Sequence, residues 1–335
     1  MSQDTLSEVL RSVRLRGAVF YHVEGDNSWV AEAPPSATIG DVIMPGTQQV
    51  MEYHVVTRGS CWGALAGEPP VRMNEGDVVL FPHGDAHVIS SAPGMRAPAN
   101  PEGYALPRPP QMPFFMRRSG QAVELAQLTA EGDGGSTRLV CGFFGCDARP
   151  FNPLLASLPR LLHIRRREGR DEDWIGQFIR FAVMESINKR PGGEALLERL
   201  SETMFVELMR RYLDEMPEDQ QGWLGGLRDR HIGRALALLH AVPAKAWTID
   251  KLADGVGLSR SALHERFAQF TGYAPMTYLA NWRMQLAANL LRQSAISIAA
   301  IALEVGYQSE AAFSRAFRRC VGMPPAAWRR QQQVQ

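Results

Sequence analysis

The stretch "ISIAAIALEVGYQSEAAFSRAFRRCVGMPP", residues 296–325, decides how the C-terminal third of the chain is read. A short apolar segment runs into "VGY". Ser309 stands where a helix N-cap is wanted, and Phe313 and Phe317 follow at helical spacing. Gly322 sits where a helix ends in a left-handed residue, and Pro325 lies just beyond it. Helix, tight turn, helix is the helix-turn-helix pattern. The same order occurs earlier, in "WTIDKLADGVGLSRSALHERFAQFTGYAP", residues 247–275. Thr248 caps its first helix, Gly257 makes the turn and Ser259 caps the second. Leu263 matches Phe313, Phe267 matches Phe317, Gly272 matches Gly322 and Pro275 matches Pro325, with one extra residue in the later turn. A scaffold of packed helices explains the apolar stripes but not the doubled caps, glycines and prolines. Between the copies, "PMTYLANWRMQLAANLLRQS" has no internal Gly or Pro breaker and reads as one long helix.

Charge is distributed to match. The chain has 335 residues and a formal net charge of +1, yet residues 226–335 carry +8 and residues 1–225 carry −7. A basic segment on an acidic body suits a polyanionic partner. The length suggests two domains. Four cysteines are too few for a disulfide framework, no apolar run is long enough to span a membrane, and the N-terminus lacks a signal-peptide layout. A cytoplasmic protein with reduced thiols is the expectation.

These motifs carry a resemblance. Residues 228–330 resemble the DNA-binding domain of the AraC/XylS family of transcription regulators, above all in "VGYQSEAAFSRAFRRCVGMPPAAWRR". The resemblance implies double-stranded DNA as partner, a homodimer, and RNA polymerase contact if the protein activates. With Leu263, Phe267, Phe313 and Phe317 facing inward, the outward N-terminal positions are Arg260, Ser261, His264 and Glu265 in the first recognition helix. In the second they are Glu310, Ala311, Ser314 and Arg315. Arg315 suits a bidentate guanine contact. Glu265 either accepts from cytosine or pairs with Arg260 or Arg266. Arg266, Arg283, Arg318, Arg319, Arg329 and Arg330 read as phosphate contacts or solvated charge.

The rest of the chain reads as β, then α. Strand-like pieces such as "QQVMEYHVVTRG", "SCWGALAG" and "GDVVLFP" are short and punctuated by turn residues, which indicates a sandwich or barrel. The proline-rich stretch 92–120 reads as a long loop, after which "QAVELAQLTAE" and "STRLVCGFFGC" return as strands. From Asn152 onward the pattern is helical, in "NPLLASLPRLLHI", "DEDWIGQFIRFAVMESINK" and "PGGEALLERLSETMFVELMRRYLDEMP". The apolar stripes of the last two suit packing on the barrel or a dimer face equally. The expected organisation is α+β. A cupin-like sensor and dimerisation domain spans 1–216, with its barrel at about 15–150 and helices at about 152–215. A linker covers 217–227, and the double helix-turn-helix domain covers 228–330.

"GDVVLFPHGDAH" fits the second cupin motif at Gly76, Pro82, Gly84 and His87. The first motif is partial: Gly46 is followed by Glu52 and His54 where two histidines are usual. The domain thus resembles the cupin-type sensors of some AraC-family proteins, which also carry a segment like "CGFFGCD". Cys141 and Cys146, with two glycines between them, would join His83 and His87 in a Cys2His2 set suited to zinc, structural or regulatory. The other readings are core thiols, a Cys141/Cys146 redox switch, or a metal on Glu52, His54 and His87 in the ordinary cupin place. An unknown small-molecule effector is expected in the barrel interior, near Glu52, His54 and Trp62. A metal-dependent cupin enzyme fused to a DNA-binding tail is the competing class. The incomplete first motif argues against it.

Overall fold

The computed structural model describes residues 4–100, 114–126, 137–167, 174–188, 190–217 and 220–334. The chain opens with α1 (Thr5–Ser12), capped by the Asp4 side chain on Ser7 N–H. The 18-residue strand β1 (Arg16–Ala33) follows, then α2 (Ser36–Ile43). Next come β2 (Gln49–Arg58), β3 (Ser60–Leu65), β4 (Val71–Asn74), β5 (Val78–Phe81) and β6 (His87–Ser90). After them lie β7 (Phe114–Gly120), β8 (Ala122–Ala126), β9 (Thr137–Cys146), α3 (Pro153–Ser157), β10 (Leu162–Ile164), α4 (Trp174–Asn188) and α5 (Gly193–Glu215). The remainder is helical: α6 (Trp223–Arg228), α7 (Arg230–Ala241), α8 (Ile249–Val256), α9 (Arg260–Thr271), α10 (Pro275–Gln293), α11 (Ile298–Glu304), α12 (Glu310–Val321) and α13 (Pro325–Val334).

Residues 15–146 and 158–214 form one compact unit, a nearly closed barrel with helices. Its strands run in the order β10-β5-β2-β9-β1-β6-β3-β4, with β7 parallel to β1 and hairpinned to β8. β1 joins the two halves: residues 16–25 pair with β9 and residues 30–33 pair with β6. Alternation sorts β9 cleanly. Leu139, Cys141 and Phe143 enter the barrel core with Tyr21, Val23, Trp29, Phe81 and Ile89. Phe144 faces the other way, stacked on Tyr53 and edge-on to Phe205 of α5. The expected loop at 92–120 is corrected at its end, where residues 114–120 form β7; residues 101–113 lie outside the described residues. Of "QAVELAQLTAE", residues 122–126 form β8 and 127–131 lie outside the described residues.

The second unit collects residues 1–14, 147–157 and 215–335. Both helix-turn-helix copies form. Ser259 accepts from Ala262 N–H and Ser309 from Ala312 N–H, while Gly272 and Gly322 end their helices at φ +74° and +88°. Glycine adopts that conformation at no steric cost, which is why it is the usual residue there. Leu263, Phe267, Phe313 and Phe317 are fully buried. The long helix α10 holds the early segments through side chains. Gln285 Nε2 and Asn289 Nδ2 donate to Ser12 O at 3.0 and 2.8 Å, and Gln285 Oε1 accepts from Phe151 N–H at 3.0 Å. Asp147, 1% exposed, is shared by Arg14 at 2.6 Å and Arg292 at 3.2 Å. Two boundaries therefore differ from the sequence expectation. The 217–227 stretch is not simply a linker, because α6 starts at Trp223, and Trp223 and Leu224 are buried. Segments 1–14 and 147–157 group with the C-terminal helices rather than with the barrel.

Candidate DNA-reading face and metal centre

The recognition helices place their outward residues as the sequence suggests. On α9, Arg260, Ser261, His264 and Glu265 are exposed; on α12, Glu310, Ala311 and Arg315 are exposed and Ser314 is half-buried. The alternative role of Glu265 is not what forms. Arg260 pairs with Asp250 at 3.1 Å, and Arg266 holds Asp229 with Nε at 3.1 Å. Asp229 itself caps α7 by accepting from His231 and Ile232 N–H. Arg266 is thus a brace on the cap of α7. Arg283 is another, its guanidinium donating to Pro243 O at 2.8 Å and Lys245 O at 2.9 Å. Arg329 donates to Ile296 O at 2.6 Å. Arg315, Arg318 and Arg319 are exposed and make no ion pair among the described residues.

The metal candidates separate into two groups. In "HGDAH", Gly84 takes φ +67°, and an added Cβ would lie 1.7 Å from Ser36 Oγ. This tight turn sends the two histidines to different places. His83 is exposed, and its Nε2–H donates to Leu158 O at 2.9 Å. Asp85 pairs with exposed Arg160 at 2.8 Å. His87, 2% exposed, enters the barrel. There it meets Glu52 and His54, which lie two residues apart on one face of β2 and are 4% and 6% exposed. The three ligand atoms lie within 4.8 Å of one another, the one such cluster among the described residues.

The proposed Cys2His2 set does not assemble. Cys141 and Cys146 belong to one continuous strand, opposite His54 and Gln49 respectively in the β2 register. Five residues of strand put them on opposite faces, roughly 17 Å apart along the chain. That spacing excludes a shared tetrahedral metal and a disulfide between them while β9 is intact. Cys141 does reach the site: its Sγ lies 2.9 Å from His54 Nδ1. Trp62 is also corrected. On β3 the inward positions are Cys61, Gly63 and Leu65, so Trp62 faces out of the barrel.

A proton order follows from acceptors that cannot donate. Asp85 O accepts from His87 Nδ1–H at 2.9 Å, which leaves His87 Nε2 as a lone pair. That atom lies 2.9 Å from His54 Nε2, so His54 supplies the shared proton there and receives the Cys141 S–H at Nδ1. Burial keeps the whole array neutral. It pushes the Glu52 carboxyl up to about 8, the His87 imidazole down to about 4, and His54 well below the usual histidine range. Burial and the neighbouring Glu52 push the Cys141 thiol well up. Glu52 oxygens stand 3.6 Å from His87 Nε2 and 3.8 Å from His54 Nε2. A cation here would displace the Glu52 carboxyl proton and shift the His54 proton from Nε2 to Nδ1, where it faces Cys141 Sγ, so that two imidazole nitrogens and a carboxylate would converge on one point. That donor set suits zinc or another divalent transition metal. Glu52-x-His54 was visible as same-face alternation in the sequence. The Cys141 contact depends on cross-strand register, which no local motif records.

The comparisons agree with both halves. Residues 4–214 match the cupin family, and residues 252–331 match the helix-turn-helix domain. A putative AraC-like transcription regulator of Streptomyces lividans is 33% identical over 284 residues, covering 84% of this chain and 87% of that protein. The HTH-type transcriptional regulator AlkR of Acinetobacter baylyi is 28% identical, covering 98% of this chain and 99% of that one. The crystal structure of the DNA-binding domain of AdpA in complex with a target DNA matches at 28% identity and a TM-score of 0.31, covering 32% of this chain and 96% of that one. With a cupin domain at its N-terminus and a double helix-turn-helix at its C-terminus, the chain belongs to the AraC-like family of DNA-binding transcription regulators.

Proposed function

We propose that this regulator reads two successive major-groove segments of one duplex with the N-terminal turns of α9 and α12, and that its barrel holds one zinc ion on Glu52, His54 and His87. The DNA reading rests on one observation: two recognition helices with the same buried aromatic or apolar pair, the same caps and different exposed residues, joined by α10. That helix has 19 residues, so it is about 28 Å long, near the 34 Å spacing of adjacent major grooves. Arg315 is the base-reading arginine, and Arg318 and Arg319 face the phosphates. One chain on each half-site makes the active form a homodimer, checked by sedimentation with and without DNA. A regulator of this kind works beside the chromosome, in the cytoplasm.

A gel-shift titration of the full chain on its own promoter region tests the reading. Affinity is expected to fall steeply with salt. Absence of binding at low salt overturns it. Zinc bound on the barrel triad would fasten β2 to the start of β6 and leave the Cys141 thiol as an outer partner of His54. Metal analysis of gently purified protein is expected to give one zinc per chain, lost in His87→Ala and retained in His83→Ala. Equal zinc in both variants refutes the triad.

A further inference from the structure

Packed apolar side chains of the barrel core lie beside the Glu52, His54 and His87 cluster. A cavity of about 580 Å³ lies in the same unit, lined by β1, β7, β9, the end of β2 and α4, with Val23 and Leu139 of the barrel core among its residues. The volume falls in the range of small-molecule sites.

The walls are of two kinds. Phe115 and Met116 of β7 and Ile179, Val183 and Met184 of α4 supply its apolar lining. Met184 is 57% exposed, a large apolar side chain left open at the rim. His22 stacks on Phe115 at 4.8 Å and adds a further flat surface. Its burial drives its pKa down to about 4, so that surface is uncharged at neutral pH.

Against these apolar walls stands Arg138. Its Nε–H is fully shielded from solvent and has no acceptor among the described residues. Its other end is 3.5 Å from Glu24 Oε1, the outer limit of a hydrogen bond, and Glu24 also lies 3.7 Å from Arg117. Arg58 and Arg180 line the cavity too, giving three arginines against Glu24 and Glu75. The Nε–H is covered by protein atoms, so what a ligand can reach is the terminal guanidinium nitrogen held only loosely by Glu24, and a carboxylate is the strongest partner for it.

We infer that this cavity is the effector site and that it takes a small apolar carboxylate, aryl or medium-chain alkyl, with the acid group on Arg138 and the hydrocarbon body between Phe115 and Met184. A cationic ligand would meet the arginine excess, and a neutral one would leave the terminal guanidinium without a charged partner of its own. A ligand seated there touches β1, β9 and α4 together, and so bears on the sheet that carries the barrel. Binding to the chain is measured without DNA, so failure here is distinguishable from failure of the DNA-reading proposal.

The probes are hydrocinnamate and octanoate, with hydrocinnamamide as the uncharged control, titrated calorimetrically into the full-length protein. Hydrocinnamate is expected to bind at least tenfold more tightly than its amide. Arg138→Gln is expected to remove that preference while leaving amide binding unchanged. Met184→Glu, at an exposed position that the fold does not need, is expected to abolish carboxylate binding with the melting temperature and the DNA shift both kept. Equal affinity for acid and amide in the native protein overturns the carboxylate assignment. No binding of either acid up to about 5 mM, a concentration that reveals even millimolar sites, overturns the site. Undiminished acid binding in both variants places it elsewhere and does the same.

Discussion

The two helix-turn-helix units share a frame and differ at the edge. Leu263 and Phe267 hold α9, and Phe313 and Phe317 hold α12, at the same two positions with the same serine cap and terminal glycine. Their exposed N-terminal residues have little in common: Arg260, Ser261, His264 and Glu265 against Glu310, Ala311, Ser314 and Arg315. Their basic flanks differ as well, since Arg266 is tied to Asp229 whereas Arg318 and Arg319 are left to solvent. Packing constrains the frame, because an inward residue must fill a fixed space. The outward residues fill no core space; apart from contacts such as Arg260 with Asp250, packing leaves their identity open. The pair is one scaffold used twice with two different exposed edges.

The largest expected effect tests the shared frame. Phe267→Ala and Phe317→Ala should each destabilise the C-terminal unit by about 3–5 kcal/mol, measured by denaturant melts followed on the tryptophans of that unit. A loss confined to one copy breaks the equivalence. Next comes the edge. Arg315→Ala should weaken specific DNA binding by about 1–3 kcal/mol and relax preference at one base pair. Arg260→Ala, whose arginine is occupied by Asp250, should cost less; the reverse order assigns base reading to the first unit. Ser259→Ala and Ser309→Ala should each cost about 1 kcal/mol of stability, by equal amounts if the caps are equivalent. The smallest effect separates the flanks. Arg318→Ala should lower the slope of log affinity against log salt by about 1, while Arg266→Ala should leave that slope unchanged and cost at most about 1 kcal/mol of stability.

The same contrast explains what was legible in the sequence. Caps, terminal glycines and buried aromatics are local, so the repeat was readable from residues alone. The barrel was readable as short punctuated strands, and "GDVVLFPHGDAH" marked its return turn. The Glu52, His54 and His87 grouping was readable as one of the alternatives, the ordinary cupin place. The Cys2His2 set takes precedence over it in a sequence reading because the cross-strand register of the cysteines has no local signal. Alternation puts Glu52 and His54 together and the turn at Gly84 delivers His87, but Cys141 arrives through β9. The glycines of "CGFFGC" suggested a turn that could gather two thiols. Gly142 is instead a strand residue whose missing Cβ lets Ala18 O and the Tyr53 ring approach within 2.6 Å of where it would stand. Strand β7 was hidden because prolines dominate the residues before it. The helix α6 was hidden because "GWLGGLR" has the composition of a tether, although Trp223 Nε1–H donates to Tyr278 OH at 2.8 Å and is buried there.

The grouping of residues 1–14 and 147–157 with the C-terminal helices has a practical reach. The polypeptide passes from one unit to the other at residues 14/15, 146/147, 157/158 and 214/215, four strands of thread where a detachable cassette would have one. Val9 and Val13, 0% and 2% exposed, are part of what a cut before α6 would strip away, and Gln285 would lose both of its backbone partners. A transplant that carries only the last third of this chain into another sensor would therefore arrive with a raw face. The portable piece is discontinuous, and chimaeras need the N-terminal helix and the 147–157 crossing grafted with it.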